Sequence, residues 1–190
     1  MTILKYYDEM NKLVGQIKAK YNDGREIDFS SAADKVVELI QKQASQGKKL
    51  MFIGNGGSAA ISSHMAIDFW RNGEIKATAF TDAPYLTCIS NDFGYEQVYA
   101  KPVEVFAEPG DVLVAISSSG KSQNILNGAQ AARQKGCLII TLSGFALDNP
   151  LFMIGDLNFY VPSSTYSQVE VIHHTICHYI LELILDRKGK

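Results

Sequence analysis

Two short apolar runs, each emptying into a loop of small residues that opens a helix, constrain this chain most. Leu50-Met51-Phe52-Ile53 leads into Gly54-Asn55-Gly56-Gly57-Ser58. The run DVLVAI, residues 111–116, leads into Ser117-Ser118-Ser119-Gly120-Lys121-Ser122. Both runs are continuously apolar rather than alternating. That predicts strands buried on both faces, the pattern of a parallel sheet covered by helices.

The rest of the chain fits that frame. Ile3, Tyr7, Met10, Val14 and Ile17 recur at helical spacing, and Asn22-Asp23-Gly24 ends that helix. A second helix runs from about Ser31 to Gly47 with Ala33, Val36, Val37 and Ile40 on its face. Further strands are expected at 77–80, 137–142 and 158–161, and further helices at 58–70, 84–91, 97–106, 122–135 and 166–186. Strands alternating with helices predict one doubly wound α/β domain spanning residues 1–190. Its helical pair would occupy 1–47 and its α/β core 48–190.

Bulk properties exclude several roles. Of 190 residues, 46% are hydrophobic and 20% charged, so the chain can bury a core without disulfides or a structural metal. A net charge of −2 offers no basic field for nucleic acid or for an anionic membrane surface. Charges interrupt the first twenty-odd residues, and no run of eighteen apolar residues exists, so neither a signal peptide nor a membrane span is expected. The odd number of cysteines, Cys88, Cys137 and Cys177, reads as free core thiols in a cytoplasmic protein.

In doubly wound sheets ligands sit beyond the carboxyl ends of the strands, where both loops fall. A helix N-terminus presents free N–H groups and about half a positive charge to an anion. Serine hydroxyls add donors. GNGGS lacks the dinucleotide spacing, and SSSGKS lacks the Walker frame. A compact phosphate ester fits the two loops better than a nucleotide.

All four histidines lie in two predicted helices. His64 and Asp68 are four residues apart and share a face. Glu170, His174 and His178 form a polar stripe on an otherwise apolar helix. These residues suit a divalent metal such as zinc, and equally proton transfer. Glu170 and His178 are eight residues apart, about 12 Å along a helix, so one ion reaches both only if the side chains lean inward. His174, midway, could act as ligand or as supporting partner. His173 lies off the stripe and reads as a structural residue.

In this ordered set (GNGGS, His64, the segment with Asn91 and Asp92, ISSSGKS, and the last helix with His178) the chain resembles the phosphoheptose isomerase subfamily of the sugar isomerase (SIS) domain family. The resemblance implies a flavodoxin-like five-stranded parallel sheet, a homotetramer, zinc, and an aldose–ketose isomerisation of sedoheptulose 7-phosphate. It implies that Asn55, Gly56, Gly57, Ser58, Asn91, Asp92 and Glu170 contact substrate and that Ser117, Ser118, Ser119 and Ser122 hold its phosphate. It makes His64, Asp68, Glu170 and His178 the metal set, and Asp68 and His178 the catalytic pair. Two departures stand out. The family has a glutamate at the position of Asp68 and a glutamine at that of Glu170. The loop at 71–76 is also short.

Overall fold

A single sheet of seven strands, ordered β2-β1-β7-β6-β5-β3-β4, organises residues 2–189, which the computed structural model describes. In chain order the elements are α1 (Ile3–Val14), β1 (Lys18–Tyr21), β2 (Glu26–Ile27), α2 (Phe29–Ser45), β3 (Leu50–Gly54), α3 (Gly57–Arg71), β4 (Ala77–Ala79) and α4 (Ala83–Phe93). Then come α5 (Ala100–Phe106), β5 (Val112–Ser117), α6 (Gln123–Gln134), β6 (Leu138–Ser143), β7 (Leu157–Tyr160) and α7 (Tyr166–Lys188). Short 3-10 turns precede α5 and β7.

The five strands β4-β3-β5-β6-β7 are all parallel. Numbered in chain order among themselves they read 2-1-3-4-5, the flavodoxin-like arrangement. Alternate residues of each strand feed two cores. Leu50, Phe52, Val112 and Val114 pack with α2, α3 and α7 on one face. Met51, Ile53, Leu113 and Ala115 pack with α5 and α6 on the other. Burial of both faces is why these strands are apolar without alternation.

The two expected N-terminal helices are present as α1 and α2, but a segment between them that the sequence did not mark takes another form. The first helix stops at Val14, and Ile17 lies outside it. Lys18–Tyr21 and Glu26–Ile27 instead form an antiparallel hairpin. Its turn is closed by hydrogen bonds from Tyr21 N to Arg25 O at 3.0 Å and from Gly24 N to Tyr21 O at 3.1 Å. β1 pairs antiparallel with β7, Lys18 opposite Tyr160 and Tyr21 opposite Leu157, which extends the five parallel strands to seven. Buried Asn158 fixes this join: its side chain accepts from Thr141 Oγ1 at 2.7 Å and donates to Lys20 O at 3.3 Å. Cys137 and Cys177 are buried free thiols as expected, whereas Cys88 lies exposed on α4. Among the described residues no helix is long and apolar enough to cross a membrane.

Candidate active site

Strand order reverses at β3, with β4 on one side of it and β5, β6 and β7 on the other. A crevice opens there beyond the strand ends, and such crevices receive ligands. A polar cavity of about 250 Å³ fills it, lined by Asn55, Gly56, Gly57, Ser58, Ser117, Ser118, Ser119, Ser122, Tyr166 and Glu170. The structure thus brings together both predicted loops and Glu170. It does not bring Asn91 and Asp92 to the cavity. They sit exposed on α4, where the Asn91 amide donates to Asp92 Oδ1 at 2.8 Å.

The serine loop holds its hydroxyls together at the cavity: Ser117 Oγ donates weakly to Ser122 Oγ at 3.5 Å, and Ser119 Oγ accepts from Lys121 N at 3.3 Å. Ser122 caps α6 without a hydrogen bond from its own side chain to the helix. Ser118 is buried, and its Oγ has no hydrogen-bond partner. Gly120 turns the loop at a φ of +63°, and a Cβ there would collide with the Asn149 side chain. Asn149 is itself fully buried and braced by Ser143, Gly144 and Ala146. Both constraints require glycine at 120.

The two helix ends are not equivalent. A Cβ on Gly57, the first residue of α3, would run into the Glu170 carboxylate. That carboxylate therefore already faces the positive end of α3. The amino end of α6, with the four serines around it, is the one left for a further anion.

Asn55 and Asn124 lock the loops together. Each side-chain amide donates to the other's oxygen, at 2.9 and 2.8 Å, and Tyr95 Oη donates to Asn55 Oδ1 at 3.2 Å. Neither Asn124 nor the cavity-lining Tyr166 carried a motif signal, whereas Tyr95 lies in the motif segment that holds Asn91 and Asp92. Asn124 follows SSSGKS by two residues, and that proximity is the one clue the sequence held.

Helices α3 and α7 run side by side in the same direction. Glu170 lies over Gly57 at one end, and Leu181 and Lys188 reach Gly73 at the other. Between these ends His64 and Asp68 of α3 meet His174 and His178 of α7. His64 Nε2 is 3.1 Å from Asp68 Oδ2, and His178 Nδ1 is 3.9 Å from the same oxygen. The His64, His174 and His178 rings offer nitrogen atoms that all lie within 4.8 Å of one another. His64 follows Gly57 by seven residues, which places the cluster about 10 Å along the helices from the cavity.

These donors fit a metal ion. His174 Nε2 is buried and has no hydrogen-bond partner. Burial, then the neighbouring His178 and His64, push His174 below the ordinary histidine pKa, which favours the neutral, ligating form. His173, by contrast, is a core residue. It is fully buried, its Nε2 lies 3.1 Å from Ser143 O, and burial lowers its pKa to about 4.

Comparisons with known proteins bear on the family and the fold. The SIS domain profile matches residues 5–144. The phosphoheptose isomerase of Solidesulfovibrio magneticus is 35% identical over 163 residues, covering 83% of this chain and 79% of the relative. That of Nitratidesulfovibrio vulgaris is 38% identical over 168 residues, covering 84% and 80%. The solved phosphoheptose isomerase from Neisseria gonorrhoeae superposes with a TM-score of 0.83 at 27% identity, over 96% of each chain. Sheet order, polar cavity and sequence kinship together place the chain in the SIS domain family, among the phosphoheptose isomerases.

Proposed function

We propose that this protein is a cytoplasmic aldose–ketose isomerase that converts D-sedoheptulose 7-phosphate to D-glycero-D-manno-heptose 7-phosphate. One observation carries the reading. A serine-lined cavity at the amino end of α6 lies about 10 Å along α3 from a histidine–aspartate cluster. That spacing suits a sugar anchored by its terminal phosphate with its carbonyl end among the imidazoles.

In this reading Ser117, Ser118, Ser119 and Ser122 hold the phosphate, and Asn55, Gly56, Gly57 and Ser58 wall the sugar chain. Asp68 removes the proton from the carbon beside the carbonyl and returns it to the neighbouring carbon. His178 moves the matching proton between the two oxygens. His64 Nε2 lies 3.1 Å from Asp68 Oδ2, so both donors face the same point. Zinc is part of the proposal: His64, Asp68 and His178 would hold it. When bound it supplies a Lewis acid that stabilises the negative charge of the enediolate.

The test follows turnover by NMR in D₂O over a panel of ketose phosphates. Deuterium entering at the carbon beside the carbonyl is the signature expected. Asp68→Asn and His178→Ala should each lower kcat on the order of 10²- to 10⁴-fold, the usual worth of a positioned acid or base. Full turnover in both variants would end the assignment. Preference for another sugar phosphate would keep the isomerase and change the substrate. Glu170 is the residue that favours this second reading, since it puts a carboxylate into the cavity.

The proposal includes a homotetramer. Ile3, Leu4 and Tyr7 on α1 and Ile67 and Trp70 on α3 are large apolar side chains left exposed on one subunit. Light scattering should give four times the 20.9 kDa chain mass. A monomer mass at micromolar concentration would rule the assembly out.

A further inference from the structure

We propose that His174, and not Glu170, completes the metal shell, so that the ion is held by three imidazoles and one carboxylate: His64 and Asp68 from α3, His174 and His178 from α7. The inference rests on the zinc reading above and decides its fourth ligand.

Three observations carry it. The first is reach. Glu170 precedes His178 by two full helical turns, about 12 Å along the axis, whereas His174 precedes it by one. The His174 and His178 rings stand 4.6 Å apart, centre to centre, and the His64 and His174 rings 4.9 Å. The second is occupation. The Glu170 carboxylate packs on Gly57 inside the polar cavity, where the amino end of α3 supplies its counter-charge. Leaving that place for the cluster would give up the favourable field. The third is the His174 ring itself. Its Nε2 is buried and lacks a hydrogen-bond partner, an arrangement that costs stability unless something binds there. An ion among His64, Asp68 and His178 would satisfy it.

The two helices then contribute one i, i+4 pair each: His64 with Asp68, and His174 with His178. Parallel helices bring such pairs together without any side chain crossing a turn. Four nitrogen and oxygen donors match the tetrahedral preference of zinc. Glu170 is released to face the sugar, which gives this chain a cavity carboxylate that a metal-bound residue could not provide.

The experiment uses the full-length protein loaded with zinc. X-ray absorption at the zinc edge counts imidazole ligands without altering the chain, and three are expected. His174→Ala should leave two imidazoles and weaken zinc binding by more than the 10- to 100-fold that a merely supporting partner costs. Chelator competition measures that loss. Glu170→Gln should leave both the imidazole count and the zinc affinity unchanged. Two imidazoles in the unaltered protein, or a His174→Ala protein with unchanged affinity, would overturn the assignment of His174 while leaving the zinc site standing. An unaltered protein that binds no zinc at all would overturn both. Circular dichroism confirms that the variant is folded, and the edge spectrum of the unaltered protein stands on its own if it is not.

Discussion

Ser118 illustrates how function and stability separate at a single side chain. Its hydroxyl is buried beside the cavity and makes no hydrogen bond within the protein. A hydroxyl in that position costs about 1–3 kcal/mol relative to a bonded one. A phosphate ester entering the loop would satisfy it with a charge-assisted bond. Ser118→Ala should therefore make the ligand-free protein more stable, by about 1 kcal/mol, or a few degrees in Tm for a chain of this size. The same change should weaken phosphorylated ligands by roughly 10- to 100-fold. Thermal melts with and without a sugar phosphate read both effects. A variant that is less stable and binds as before would mean that Ser118 serves packing and not the ligand. His174 shows the same kind of orphaned polar atom at the other end of the site, whereas the Glu170 carboxylate packs against Gly57 at the amino end of α3.

At the scale of elements, the Asn55–Asn124 pair is what makes two loops into one site. It joins the end of β3 to the start of α6 by two reciprocal amide hydrogen bonds. Asn124→Ala removes both and leaves the half-buried Asn55 amide held only by Tyr95. A loss of about 1–3 kcal/mol in stability is expected, together with a rise in KM that exceeds any fall in kcat. A variant with unchanged KM would show that the loops hold their spacing without this clamp. How legible the elements were in the sequence follows from the same physics. Strands β3 and β5 were plain because burial on both faces leaves them apolar up to the Ser117 that ends β5. The loops were plain because only small residues and serines let a backbone approach an anion. The hairpin β1–β2 was not plain. Its strands are four and two residues long, too short for alternation to register, and its Asn22-Asp23-Gly24 turn reads equally as a helix stop. The site was half legible. Spacing along one helix placed His64 with Asp68 and His174 with His178, but no local pattern says that α3 and α7 lie side by side, or that Glu170 turns toward Gly57 while His174 turns toward His64.

The molecule as a whole divides at its sheet, and Tyr99 shows how the face opposite the histidines still reaches the site. Its ring is buried with Met51 and Ile53 in the core that α5 and α6 cover. Its hydroxyl donates to the carbonyl of Gly54, the last residue of β3, at the mouth of the first loop. Burial raises the phenol from 10.0 to about 12, with a smaller contribution from Tyr95. The folded protein thus keeps this proton to a higher pH than the unfolded chain does. Stability from the neutral phenol is fully present below about pH 10 and is lost as pH rises through about 12. The difference amounts to about 3 kcal/mol across that window, at 1.36 kcal/mol per pH unit. Tyr99→Phe removes the titration along with the hydrogen bond. At neutral pH the variant should be less stable by about 1–2 kcal/mol, because Gly54 loses a buried donor. Between pH 10 and 12 its stability should fall less steeply than that of the unaltered protein, so that the two curves converge. Cys137 and Cys177, which burial also raises, are present in both proteins and cancel in the comparison. Denaturant melts at half-unit steps from pH 8 to pH 12 measure the two slopes. Parallel curves throughout would mean that the phenol titrates alike in the folded and unfolded chain, and that Tyr99 holds Gly54 by packing alone.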